Sequence, residues 1–203
     1  MINSALTFLK EHLDEHLRLQ SAGALSGEDR AVFVDIGADG ALGFKEGAIT
    51  VLLVNAEEDR TMRPANPHRI VGRDCAVRRV APEVAMNLHV LFVARFSEYG
   101  QSLVYLSRVI RHFQVNRVLT RDNAPTLSQE LGQLTMELHT LTMQQQNDMW
   151  SMLKTGYQPS VLYRVKMIVF RDEDALHLPS VTSIDRVSSP HAGASGASVG
   201  DSR

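Results

Sequence analysis

The 203-residue sequence predicts an α+β fold, a single mixed and mostly antiparallel sheet with three packed helices. Three observations carry that prediction. Three segments repeat apolar residues at helical spacing. Several others alternate, or are continuously apolar and β-branched, as strands are. The order is helix, two strands, long loop, strand, helix, strands, helix, strand, which lacks the regular alternation of a doubly wound parallel sheet.

The first helix rests on Ile2, Leu6, Leu9, Leu13 and Leu17, three or four residues apart and so on one face. Asn3 or Ser4 is placed to cap it. Gly23 and the run Ser26-Gly27-Glu28-Asp29 end it. Residues 31–36 read as a short strand closed by Gly37-Ala38-Asp39-Gly40. Residues 49–54 are almost continuously apolar, which suits a strand covered on both faces, and the polar run from Asn55 to Arg60 follows it. Residues 61–82 hold Pro64, Pro67, Gly72 and Pro82 without a period, and are expected to be a long loop.

Strand character returns at 84–96, with its centre at 86–93. Tyr99, Leu103, Leu106, Ile110 and Phe113 mark the second helix. Residues 117–120 suit a short strand. Leu134, Met136 and Leu138 alternate with Thr135, Glu137 and His139, the pattern of a half-buried strand. Thr142 with Gln145 fits a capping box opening the third helix, whose apolar side is Met149, Trp150 and Leu153. Gly156 is expected to stop it, and a last strand spans 161–170. Residues 1–171 are thus expected to form one domain. Residues 172–203 form a C-terminal extension, expected to be disordered from about 188, where Ser, Gly, Ala and Pro dominate.

Composition narrows the function classes. The formal net charge is -2, from 21 basic and 23 acidic side chains, which gives no argument for nucleic acid or an acidic membrane. Cys75 is the only cysteine, so no intrachain disulfide can form. Lys10, Glu11 and Asp14 interrupt any signal-peptide core, and no window is apolar enough to span a bilayer.

Four sets of side chains invite a chemical reading. His12-Leu13-Asp14-Glu15-His16 matches H-x-x-E-H, whose two histidines could share zinc with Glu15 as general base. The helical wheel turns Glu15 away from the histidines, so a surface helix with two boundary histidines is the preferred reading. Asn55, Glu57, Glu58 and Arg60 lie where ligand groups often sit, yet adjacent carboxylates point to opposite faces of a strand. Structural or interface ion pairing is preferred there over acid–base catalysis. Arg60, Arg63, Arg69, Arg73, Arg78 and Arg79 make the loop basic, but no aromatic residue between 61 and 82 offers a base a stacking surface. A protein interface or a plain solvated loop is preferred over nucleic acid. Trp150, Tyr157, Pro159, Ser160 and Tyr163 cluster in sequence as a candidate anchor patch.

Several segments together resemble one family. They are residues 1–9 (MINSALTFL), 49–60 (ITVLLVNAEEDR), 86–92 (MNLHVLF), 106–114 (LSRVIRHFQ), 150–153 (WSML) and 156–163 (GYQPSVLY). In that order they resemble the N-terminal domain of cap, or tube-terminator, proteins of extracellular contractile injection systems of the antifeeding-prophage type. The likeness runs over about residues 1–170 and no single motif carries it. Asp59, where a glutamate is expected, is a mild departure.

The resemblance implies a fold similar to phage tail-terminator proteins. It also implies a homo-hexameric ring that closes the inner tube opposite the baseplate and touches the last sheath ring. The implied partners are the inner tube protein and the sheath protein, without nucleic acid, cofactor, metal, membrane insertion or catalysis. Synthesis and assembly would be cytoplasmic, in a particle that stays there, docks on a membrane or is released. Asn55, Glu57, Glu58, Arg60, Arg63, Arg69, Arg73, Tyr157, Pro159 and Ser160 are the expected interface residues. A baseplate or adaptor component of the same machine is the alternative, and a zinc hydrolase using His12 and His16 a remote one.

Overall fold

The computed structural model describes residues 1–20, 29–38, 40–59, 69–71, 77–79, 84–169 and 176–177. Its elements are α1 (Ile2–Gln20), β1 (Ala31–Phe33), β2 (Asp35–Ile36), β3 (Leu42–Gly43), β4 (Ala48–Glu58), β5 (Arg69–Val71), β6 (Val77–Arg79), β7 (Val84–Arg95), α2 (Tyr99–Val115), β8 (Val118–Thr120), β9 (Gln133–His139), α3 (Met143–Met152), β10 (Ser160–Val169) and β11 (Leu176–His177). Six strands form the main sheet in the order β1-β4-β7-β10-β9-β8. The edge pair β1–β4 is parallel, and the other pairings are antiparallel.

The period-2 geometry of a strand divides β7 between two cores. Leu88, Val90, Phe92 and Ala94 face α1 and α2, while Leu91 and Val93 face α3. Covering on both faces explains why residues 90–94 are continuously apolar. On the α1–α2 face the same core takes Ile49 and Val51 of β4, Leu134 and Met136 of β9, and Tyr163, Val165 and Met167 of β10. α1 contributes Leu9, Leu13 and Leu17 of the expected stripe together with Ala5 and Phe8, while Ile2 and Leu6 pack against this core only partly buried. Each leucine so buried stabilises the fold by about 1.5–3 kcal/mol.

α1 is also tied to the sheet by a buried carboxylate. Asp14 Oδ1 accepts from the backbone N–H of Arg30 at 2.6 Å and of Ala31 at 2.9 Å, and Oδ2 meets Arg18 Nε at 3.1 Å. A side chain on α1 thus orients the start of β1. On the opposite face α3 lays Met149 and Trp150 over Leu91, Val93 and Leu162, with Phe44 edge-on to the indole at 6.1 Å. Thr142 Oγ1 accepts from Gln145 N at 3.2 Å and Gln145 Oε1 accepts from Thr142 N at 3.0 Å, completing the expected capping box.

Several expectations need correction. α1 begins at Ile2, with Ala5 N donating to Met1 O at 2.8 Å, so Asn3 and Ser4 lie inside its first turn. The single strand expected at 31–36 is two short strands, because β2 leaves to pair with β3 in a separate hairpin. The long loop of 61–82 contains β5 and β6, which join β11 in a three-stranded sheet. β11 lies in the expected extension and pairs Leu176 with Arg79. α3 ends at Met152 with Leu153 as its cap, before Gly156. Leu138, expected to be inward, is 53% exposed at the end of β9. The expected disorder from about 188 lies outside the described residues.

Candidate interaction surface

β4 has a bulge that decides where its polar half points. Leu53 is opposite Val90 and Asn55 opposite His89, so Val54 is an extra residue. Ahead of it, Val51 and Leu53 face α1 and α2. Beyond it the parity reverses: Asn55 and Glu57 pair with His89 and Asn87, on the α3 face, while Ala56 and Glu58 pair with Leu88 and Met86. Glu57 and Glu58 therefore take opposite faces, as expected. Asn55 to Glu58 are all exposed, and they belong to the strand instead of following it.

The registers then assemble a polar row across four strands. Asn55 is opposite His89, His89 opposite Arg164, and Arg164 opposite Glu137. Glu57 Oε1 lies 3.2 Å from His89 Nε2, and the His89 and His139 rings are 5.3 Å apart. Glu137 is held from two sides, by Arg164 Nη2 at 2.7 Å and Lys166 Nζ at 2.8 Å. Hydrogen bonds from Lys166 and Arg164 push its carboxyl below the usual range, against a smaller opposing effect of burial. The row ends in opposite charges, Glu137 between Arg164 and Lys166, and these side chains are partly solvated. Such a surface suits a charged protein partner by electrostatic complementarity.

Asn55, Glu57 and Glu58 lie on this strand end, with Glu57 joined to the row. Arg69 lies on β5, and Arg60, Arg63 and Arg73 lie outside the described residues. Tyr157 is 59% exposed and meets Trp150 edge-on at 5.8 Å, while Pro159 and Ser160 are half-buried at the start of β10. An open groove between α3 and the turn after it is lined by Met143, Gln146, Trp150, Lys154 and Tyr157. Tyr163, grouped with this patch by sequence, points instead into the α1–α2 core. His89, Glu137, Arg164 and Lys166 were missed, although Arg164 and Lys166 alternate with buried Tyr163, Val165 and Met167.

His12 and His16 both turn toward α2. Both rings meet His112 of α2, but no group of three histidine, cysteine, aspartate or glutamate side chains among the described residues is arranged to hold a metal ion. Glu15 is exposed and His16 Nε2 faces Gln20 Nε2 at 2.9 Å. No helix among the described residues is long and apolar enough to cross a membrane.

Comparison with known proteins supplies the family. Residues 5–183 match the Pvc16 N-terminal domain. The chain belongs to that family. The Pvc16 N-terminal fold seen here recurs in the sheath/tube terminator of an extracellular contractile injection system, PVC, in its extended state. That likeness has a TM-score of 0.56 at 16% identity and covers 94% of this chain. It recurs in the tube-terminating cap of the anti-feeding prophage, with a TM-score of 0.55 at 17% identity and 89% of this chain covered. The chain covers 65% and 60% of the length of those two proteins. No curated protein sequence matches it.

Proposed function

We propose that this chain is a structural cap, terminating the inner tube and sheath of a contractile injection system at the end opposite the baseplate. The observation that carries the reading is a Pvc16 N-terminal domain spanning residues 5–183, on a fold whose solved neighbours are a sheath/tube terminator and a tube-terminating cap. The cap is a homo-hexameric ring, and it acts by binding the tube and sheath proteins without catalysis. Asn55, Glu57, Glu58 and Arg60 supply charge-assisted contacts to a neighbouring subunit or to the sheath. Tyr157, Pro159 and Ser160 provide a second contact beside α3. The edge strands β1 and β8 offer backbone groups for strand addition by the partner.

Electron microscopy of injection particles from cells with and without the chain tests the reading. Loss of uniform tube length or of the capped end, with the baseplate intact, is the expected result. Normal capped particles would overturn it.

A further inference from the structure

The seam between α1 and α2 holds a cluster that the capping role does not use. His12 and His16 lie one turn apart on α1, and His112 of α2 meets them at ring-centroid distances of 4.8 Å and 4.2 Å. Phe8 stacks on His12 at 5.4 Å, and Phe113 stands edge-on to His112 at 4.9 Å. His112 is buried, and neither His12 Nε2 nor His112 Nε2 has a hydrogen-bond partner among the described residues.

The geometry points to α1 being an acid-released element: protonation of the His12–His16–His112 cluster undocks α1 from α2 while the sheet and α3 remain folded. Asn116 shows why an added proton has no place. Its Nδ2 donates to the His112 carbonyl oxygen at 3.1 Å, so it is the nitrogen of that amide, not the oxygen, that faces His112 Nδ1 at 3.4 Å. Nδ1 is therefore the accepting nitrogen and the neutral ring carries its proton on Nε2. A second proton, on Nδ1, would face a donor.

The surrounding charges give little relief. From α2, Arg108 and Arg111 oppose a positive His16. From α1, Glu15 favours a positive His12, but His16 opposes it. Lys10, Glu11, Asp14, Arg18 and Asp29 line the cleft beside His12, and Arg18 binds both Asp14 and Asp29. From the sheet, Tyr163 packs on Phe113 at 5.3 Å and burial raises its phenol to about 12, so it stays neutral. Burial is the largest cause holding all three imidazoles below their ordinary 6.5, with His112 at about 3.

The sign follows from proton linkage. Released histidines bind protons from about 6.5 downward, and the docked ones resist until lower pH. Docking is thus fully favoured above 6.5 and weakens as pH falls toward about 3. When α1 leaves, Asp14 leaves with it, and the N–H groups of Arg30 and Ala31 lose their acceptor.

Hydrogen exchange of the full chain at about pH 7 and about pH 4.5, corrected for intrinsic rates, tests this independently of the capping role. Residues 2–20 are expected to exchange at least about tenfold faster at the lower pH. Residues 88–94 and the emission of Trp150, on the opposite face, stay unchanged. His112→Phe removes the pH response. Unchanged protection of α1, parallel loss in β7 with a shift of Trp150 emission, or an equal response in H112F would each overturn the inference. If H112F does not fold, NMR titration of the wild-type imidazoles decides. Titration of His12 and His112 near 6.5 with α1 still docked overturns it, and titration at lower pH together with α1 exchange sustains it.

Discussion

Glu57 Oε1 lies 3.2 Å from His89 Nε2, although the two residues are not opposite one another: Glu57 faces Asn87, and His89 faces Asn55. The contact is a diagonal one, and it exists because the bulge places both side chains on the same face. Glu57 is half exposed, so the pair contributes at most about 1 kcal/mol to folding. The double substitution Glu57→Ala with Glu58→Ala is expected to leave thermal unfolding nearly unchanged while weakening ring or sheath binding. Sedimentation of the purified chain and counting of capped particles check it. Unaltered assembly in the double variant would remove these two residues from the interface.

Glu137 gives a prediction with a defined pH window. Its carboxyl is held below the ordinary 4.5 by Lys166 and Arg164, so the folded state keeps it charged where the unfolded chain would protonate it. That contribution is present above about 4.5 and is lost as pH falls through the folded value. Both bases are well solvated, so screening keeps the effect small, on the order of 1 kcal/mol. Glu137→Gln is expected to lower stability near neutral pH and to flatten its decline below 4.5, in urea titrations run across that range.

Asp14 is predicted to matter more. Replacing it with Ala leaves the buried Ala31 N–H without its acceptor and removes a second bond from Arg30 N. An orphaned buried donor costs about 1–3 kcal/mol, so Asp14→Ala should destabilise by at least that much. The midpoint of chemical denaturation measures it. Asp14→Asn keeps an accepting oxygen and is expected to recover part of the loss.

Thr142→Ala removes the side-chain half of the α3 capping box and is expected to cost about 1 kcal/mol. Trp150 is the only tryptophan and lies in α3, so its fluorescence follows this transition directly.

Long elements were readable from the sequence because they repeat their own signal. The α1 helix and the Thr142–Gln145 box declare themselves within a few turns, and so does the existence of α2, but of its expected stripe Leu106 and Phe113 are buried while Tyr99 and Leu103 are exposed. β5, β6 and β11 do not, since strands of two or three residues carry no period and depend on pairing with distant chain. The candidate surface divides in the same way. The polar side of β9 was visible, but Arg164 and Lys166 become partners of Glu137 only through the β9–β10 register. His112 follows Val109 by one turn on the buried side of α2, a signal present in the sequence but not separable from an ordinary polar position without α1 beside it.

The bulge at Val54 also bears on how the chain tolerates changes of length. Removing Val54 would leave Asn55 opposite His89 and Glu57 opposite Asn87, so strict alternation would return with each outer side chain on the face it already takes. Closing the bulge at constant length is the disruptive change: Val54 would move opposite His89, turning Asn55 and Glu57 toward α1 and α2 and Glu58 toward the α3 face. Val54 is thus a residue the strand can lose without turning over its exposed end, whereas a chain that keeps Val54 must keep the bulge as well.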